Sequence, residues 1–161
     1  MITHFKPVAA SLVLVLVLVA VCVGMGQRQR SVDRPRQCPV CGMFVAPYPA
    51  WTCHAGLYDG NHFVFDGCKD LFRFCQHVSR YAPSYREADV AGIKVTDYYT
   101  GTLIDGRAAF YVIGSDVLGP MGQEAIPFAT RDSAEEFRVD HHGDRVLAFG
   151  EITADLISDL D

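Results

Sequence analysis

A long apolar segment near the N-terminus sets the first limit on how this chain can fold. Residues 8–26 are almost wholly apolar, with alternating leucine and valine at the centre and Ser11 as the one polar interruption. Such a run is long enough to cross a lipid bilayer as a helix. We therefore predict a signal peptide or membrane anchor over residues 1–26, a polar, arginine-rich linker over residues 27–37 and a folded domain over residues 38–155.

The residues around this segment bear on the side of the membrane that the domain occupies. Arginines follow the segment within residues 28–36, and this charge bias alone favours a domain in the cytoplasm. Cys22, near the end of the apolar run, is a candidate for lipid modification, and a lipoprotein-type signal exports the domain that follows it. We predict a membrane-anchored domain on the extracytoplasmic, periplasmic side, with a cytoplasm-facing anchor as the alternative.

The charge balance excludes one large class of partners. The formal net charge is -5 and the pI is about 5.6. Proteins that bind nucleic-acid phosphates normally present a basic surface. We therefore predict no nucleic-acid partner, whereas metal cations such as copper or zinc are compatible ligands.

The residue pattern after the linker predicts an α+β fold. Short apolar or alternating runs separated by prolines and glycines are typical of short strands, and they cover residues 44–45, 51–57, 62–65, 93–99, 108–113, 125–129 and 145–152. A first helix is predicted from a cap at Asp66 to about Tyr81, and a second from a capping box at Ser133 to Gly143. In both places an aromatic strand precedes a helix that carries Phe-Arg. We predict two related small β/α halves, with coincidence among phenylalanine-rich core elements as the alternative.

Residues 38–43 read Cys-Pro-Val-Cys-Gly-Met and concentrate three sulfur atoms. Sulfur ligands at this density select Cu(I), zinc or iron–sulfur chemistry over hard cations. Cys38 and Cys41 have the spacing of a zinc knuckle, although the chain lacks the second Cys-x-x-Cys pair of such a site. The same spacing serves thiol–disulfide exchange. A small zinc-stabilised binding domain and a thiol–disulfide oxidoreductase are therefore the alternatives to a copper site.

Two methionines favour copper among these choices. Cys41 and Met43 are two positions apart, so their side chains leave the same face of an extended backbone. Met121 lies in the loop Gly-Pro-Met-Gly at residues 119–122, where a core-filling role is less natural than on an apolar helix face. Cu(I) prefers sulfur and accepts two or three ligands, so Cys41, Met43 and Met121 would suffice to bind it.

These motifs, in this order, resemble the nitrous oxide reductase accessory proteins of the NosL family, which are copper chaperone lipoproteins. The resemblance rests on residues 38–43, on Phe-Val-Phe-Asp-Gly-Cys at 63–68, on Ala-Ala-Phe-Tyr-Val at 108–112 and on residues 119–128. It implies a membrane-tethered protein that is not an enzyme and that delivers Cu(I) to a copper-accepting enzyme or its assembly machinery, within the context of denitrification. It also implies an α+β fold similar to that of organomercurial lyase, and Cu(I) ligands at Cys41, Met43 and Met121, with Cys38 as a further one.

Several reactive side chains have no part in this scheme. The cysteines after residue 26 are odd in number, which argues against a complete disulfide framework. Cys68 and Cys75 are best interpreted as small residues on a buried helix face, and Cys53 has no assigned role. The pair at residues 141–142, His-His, is interpreted as solvated residues near a helix end, with a metal-ligand role as the alternative.

Overall fold

The computed structural model describes residues 36–161. The predicted membrane segment and lipidation site, and nearly all of the predicted linker, lie outside the described residues. Within residues 36–161, no helix has both the length and the apolar character needed to cross a membrane.

The described residues alternate short strands with short helices. Seven strands are present in residues 36–161: β1 (Cys53–Leu57), β2 (His62–Phe65), β3 (Val90–Thr96), β4 (Leu103–Asp105), β5 (Phe110–Ile113), β6 (Ile126–Phe128) and β7 (Arg145–Ala148). The same residues include four α-helices: α1 (Cys68–Gln76), α2 (Val78–Tyr81), α3 (Arg131–Asp140) and α4 (Ala154–Ser158). Single 3-10 turns occupy Pro49–Trp51, Glu87–Asp89 and Phe149–Glu151.

The strands form two small antiparallel sheets, which confirms the α+β prediction. The first sheet has the order β2-β1-β3-β4 and the second the order β6-β5-β7. Helix α1 follows β2 and packs on β1 and β2, and helix α3 follows β6 and packs on all three strands of the second sheet. Each sheet therefore buries one face beneath the helix that continues from its edge strand.

Aromatic side chains pack the helix of the first sheet against the second sheet. Phe72, in α1, is 2 % exposed, and its ring centroid lies 5.0 Å from that of Tyr111 in β5 and 5.0 Å from that of Phe149. Phe137, in α3, lies 4.9 Å from Phe128 and belongs to a second group of buried residues. The helix of the first sheet thus packs directly against a strand of the second.

Several predicted boundaries and caps are wrong in detail. The first helix is interrupted at His77, whose φ of -144° is not helical, so α1 and α2 replace one continuous helix. Its N-cap residue is Gly67 rather than Asp66, so the helix start has no side-chain cap hydrogen bond. Helix α3 begins two residues before the predicted capping box, because the Thr130 hydroxyl accepts from the Ser133 N–H at 3.2 Å.

Candidate metal centre

A tight turn presents the two thiols of the Cys-x-x-Cys segment. The turn is closed by an isolated antiparallel bridge between Gln37 and Phe44. Inside it, the Cys38 N–H donates to the Met43 carbonyl at 2.8 Å, and the Gly42 N–H donates to the Cys38 carbonyl at 2.9 Å. Gly42 has a φ of +79°, a conformation that glycine adopts without the penalty paid by other residues.

Two aspartates from the start of α1 meet these thiols. The Cys38 Sγ donates to an Asp70 carboxylate oxygen at 3.2 Å, and the Cys41 Sγ donates to an Asp66 oxygen at 3.3 Å. One ligand atom from each of the four residues lies within 4.8 Å of the other three. Two thiols and two carboxylates therefore converge on a space the size of a metal coordination sphere.

The chain path at the junction of β2 and α1 brings the two carboxylates to the same turn. Asp66 follows β2 directly and precedes the N-cap Gly67, and Asp70 lies in the first turn of α1. The backbone of Gly67 is extended, with φ of -174° and ψ of 163°, so Asp66 lies outside the helix. Its side chain accepts from Cys41 instead of capping the helix.

Burial disfavours the ionised form of the two thiols in this cluster. Cys38 and Asp66 are each 1 % exposed and Asp70 is 3 % exposed, whereas Cys41 is partly exposed. Burial, followed by the nearby Asp70 carboxylate, raises the pKa of Cys38 far above its ordinary value. Burial is also the main cause that raises the pKa of Cys41 to about 12. Both thiols therefore keep their protons at neutral pH until a metal cation replaces them, so metal binding releases protons.

The predicted ligands lie on two loops. Cys38 and Cys41 both belong to the cluster, and Met43 lies in the same turn with a partly exposed side chain. Met121 is 43 % exposed, in a loop closed by a bridge between Gly119 and Gly122. The Met43 carbonyl accepts the Cys38 N–H, and the Met121 carbonyl accepts from Lys69 Nζ. That the two thioether sulfurs bind metal stays a prediction.

A buried lysine ties the methionine loop to the helix of the cluster. The Lys69 Nζ donates to the Met121 carbonyl at 2.9 Å and to the Leu160 carbonyl at 3.1 Å. Lys69 is 3 % exposed and is the neighbour of Asp70 in α1. The loop that carries Met121 is consequently fastened to the same helical turn that supplies a carboxylate to the cluster.

Glu124 forms a second link between this loop and α1. Its carboxylate accepts the Lys69 backbone N–H at 2.8 Å, so a residue far along the chain satisfies an orphan donor at the helix start. Glu124 is 2 % exposed, and burial raises the pKa of its carboxyl to about 8. A Cβ atom on Gly67 would lie 2.2 Å from Glu124 Oε1, so the glycine makes room for the carboxyl.

Sequence reasoning missed the acidic and basic residues of this site. By local rules Asp66 is a helix cap, and the sequence analysis gives no role to Asp70, Lys69 or Glu124. The one local signal for a shared role is the presence of two aspartates, Asp66 and Asp70, within five residues at the start of a predicted helix. The contacts of Lys69 and Glu124 join positions 52 to 91 residues apart and leave no pattern in a single sequence.

The histidine pair lies away from the cluster's ligand set. The ring of His141 stacks on Phe137 with a centroid separation of 4.3 Å, and its Nδ1 lies 3.0 Å from an Asp116 oxygen. His142 has a φ of +55° where the chain turns after α3. The contacts of His141 agree with a role at the helix end.

Comparison with known proteins places the chain in a family. The family model described as NosL matches residues 29–157. The chain belongs to the NosL family. It is 29 % identical over 124 residues to the copper-binding lipoprotein NosL of Stutzerimonas stutzeri, which covers 76 % of this chain and 65 % of that protein. The chain thus spans less than two thirds of the length of this curated relative.

Two solved structures of NosL proteins match this chain, one of them with a TM-score above 0.5. The crystal structure of the copper chaperone NosL from Shewanella denitrificans matches with a TM-score of 0.64 and 25 % identity, over 78 % of this chain and 96 % of that one. The solution structure of apo-NosL from Achromobacter cycloclastes matches with a TM-score of 0.46 and 28 % identity, over 65 % of this chain and 87 % of that one. The relatives are named as copper-binding or chaperone proteins rather than enzymes, in agreement with the prediction that the chain is not an enzyme.

Proposed function

We propose that this NosL protein is a membrane-tethered Cu(I) metallochaperone that delivers copper for the assembly of a copper enzyme such as nitrous oxide reductase. The observation that carries the proposal is the convergence of the Cys38 and Cys41 thiols in one cluster. Its relatives support the choice of metal, because they are named as copper-binding and copper chaperone proteins. The recipient is then a copper-accepting enzyme or its assembly machinery.

The proposed ligands are Cys41, Met43 and Met121, with Cys38 as a further one. Cu(I) is a soft cation that prefers thiolate and thioether sulfur and is satisfied by few ligands. The partial exposure of Cys41 and Met43, together with the exposure of Met121, suits a carrier. A recipient's ligands can reach an ion held by such groups before the donor's ligands leave.

The experiment that tests this ligand set is a Cu(I) competition titration of the full chain with a chromophoric chelator. We expect one ion per chain, and we expect the double variant M43L/M121L to weaken binding about tenfold or more, since leucine keeps the volume but removes the sulfur. Met25→Leu is the matched control, because Met25 lies in the predicted membrane segment. Wild-type affinity in the double variant would contradict the ligand set.

The tether and the ancestry of the fold belong to the same proposal. The N-terminal apolar run and Cys22, with the name of the lipoprotein relative, support a membrane anchor on the periplasmic side. The succession of a sheet and a helix in each half supports two related halves, as in the organomercurial lyase-like fold. Membrane fractionation of wild type and of a C22S variant tests the anchor. If the protein is anchored, wild type sediments with membranes.

A zinc-binding domain is the second candidate, and the two carboxylates are the observation that favours it. Zinc accepts a tetrahedral set of two thiolates and two carboxylates, which Cys38, Cys41, Asp66 and Asp70 supply. Because two thiolates on one Cu(I) leave a negative site, the adjacent carboxylates oppose copper binding, whereas they are ligands for zinc.

We therefore expect the variant D66N/D70N to affect the Cu(I) affinity and the zinc affinity in different ways. If the site is built for Cu(I), the copper affinity stays equal or rises, because asparagine removes the charge that helps to hold the thiol protons. If the site is built for zinc, the loss of two ligands abolishes tight zinc binding. Parallel Cu(I) and zinc titrations of wild type and variant at one pH measure the difference, with D116N, an exposed aspartate on the other half, as the control.

A further inference from the structure

Two cysteines outside the metal cluster face each other in the interior. The Cys53 Sγ lies 3.2 Å from the Cys68 Sγ. Cys53 is 1 % exposed and Cys68 is 2 % exposed. This separation is shorter than ordinary contact between sulfur atoms, and a movement of about 1 Å brings the pair to the S–S bond length.

We infer that Cys53 and Cys68 form a disulfide when the protein folds under oxidising conditions. Cys53 begins β1, an interior strand of the first sheet, and Cys68 is the first residue of α1. The bond therefore joins that strand to the start of the helix that carries Asp70. It fixes the position of the helix end against which the thiols of the metal cluster rest.

The bond also limits where a soft metal ion can bind. The described residues contain five free thiols, Cys38, Cys41, Cys53, Cys68 and Cys75. Any thiolate attracts Cu(I), but a disulfide has given up its thiolates. Pairing Cys53 with Cys68 removes two buried thiols as competing copper ligands, and among the described residues Cys38, Cys41 and Cys75 are then the cysteines outside the bond.

The chemistry requires a disulfide-bearing oxidant, either a dithiol oxidoreductase or a small molecule such as oxidised glutathione. One cysteine thiolate attacks a sulfur of the oxidant's disulfide, forms a mixed disulfide and releases the other sulfur as a thiol. The second cysteine thiolate then attacks the mixed disulfide and releases the remaining oxidant sulfur. Two protons and two electrons leave the protein pair, and the oxidant is reduced to two thiols. Because both sulfurs are buried in the folded chain, the exchange takes place before the interior closes.

The direct test is to map the thiols of the full chain after refolding with a glutathione redox couple. The intact mass falls by about 2 Da, the mass of the two hydrogens lost. Trypsin leaves four of the cysteines in one peptide, residues 37–69, so chymotryptic cleavage after Trp51 and Tyr58 is needed to separate them. We expect a cross-linked pair of peptides that contain Cys53 and Cys68, with Cys75 alkylated. Full alkylation of Cys53 and Cys68, or a bond from Cys38 to Cys41 in their place, would overturn the inference.

A stability measurement provides an independent readout. A bond that closes a loop of this length raises the melting temperature on the order of 10 °C. For wild type and for the control C75S, we expect the oxidised form to melt at this much higher a temperature than the phosphine-reduced form. In C53S/C68S we expect the two forms to melt at the same temperature. A difference that persists in C53S/C68S contradicts the assignment. If C53S/C68S does not fold, the disulfide map of wild type decides the question alone. Neither measurement uses copper, so a failure of this inference is distinguishable from a failure of the proposed function.

Discussion

Replacing Glu124 by glutamine should remove a pH dependence that is built into the fold. Glutamine keeps an acceptor for the Lys69 backbone N–H and has nearly the same shape, but it has no ionisable group. In the wild-type protein, burial raises the pKa of this carboxyl from about 4.5 to about 8. The folded state therefore holds a proton that the unfolded state releases in mildly acidic solution.

The sign and size of the effect follow from this difference. Below pH 4.5 both states hold the proton, and above pH 8 both have lost it. Between these limits the free energy of unfolding falls by about 1.4 kcal/mol for each pH unit, or about 3 kcal/mol from pH 5 to pH 7.5. Stability contributed by this carboxyl is thus fully present below pH 4.5 and is lost as the pH rises through 8.

The assay is urea unfolding of wild type and E124Q at several values between pH 5 and pH 7.5, with a phosphine reductant and a metal chelator. Burial lowers the pKa of His54 below its ordinary value, so the stability contributed by this residue rises with pH. That contribution is common to both proteins, so the difference between them isolates Glu124. We expect E124Q to gain about 3 kcal/mol relative to wild type across this range. An equal difference at both ends of the range would refute the reasoning.

Two further substitutions test the packing that supports the site. Phe72→Ala should cost about 3–5 kcal/mol in urea unfolding, because it opens a cavity where α1 meets the second sheet, whereas the control V139A, at a residue 63 % exposed, should change stability by less than about 0.5 kcal/mol. Gly67→Ala should cost about 1–3 kcal/mol, since its Cβ would lie 2.7 Å from Glu124 Cδ; the control is G92A, where a Cβ meets nothing within 4 Å. Wild-type stability in either test variant would contradict the packing described.

The parts of the site that sequence analysis could predict are those made by neighbours in the chain. The turn that brings Cys38 and Cys41 together spans six residues and depends on the local freedom of Gly42. Strands and helices were predicted from hydrophobic periodicity, which is also local, and their order led to the α+β assignment. The capping assignment at Asp66 fails because Cys41, a partner distant in the chain, competes with the local one, whereas the assignment at Ser133 fails because the nearby Thr130 caps the helix instead.

Asp66 and Asp70 show this limit most clearly. Their thiol partners lie 25 and 32 residues earlier in the chain. A residue such as aspartate before a helix is a good cap by local rules, but the partly exposed thiol of Cys41 offers Asp66 a different partner once the fold brings them together. No spacing rule in one sequence indicates that pairing, and the same holds for the contact of Glu124 with α1.

The two thiols of the Cys-x-x-Cys turn are unequally buried, so the cluster has one closed side and one side open to solvent. Cys38 is sealed in the interior, whereas Cys41, one turn of chain away, meets solvent. Under the proposed function, an ion held by both sulfurs would be open to an incoming ligand at its Cys41 side. The outer sulfur would then be displaced first and the inner sulfur last, and the metal would pass from donor to acceptor without release into water.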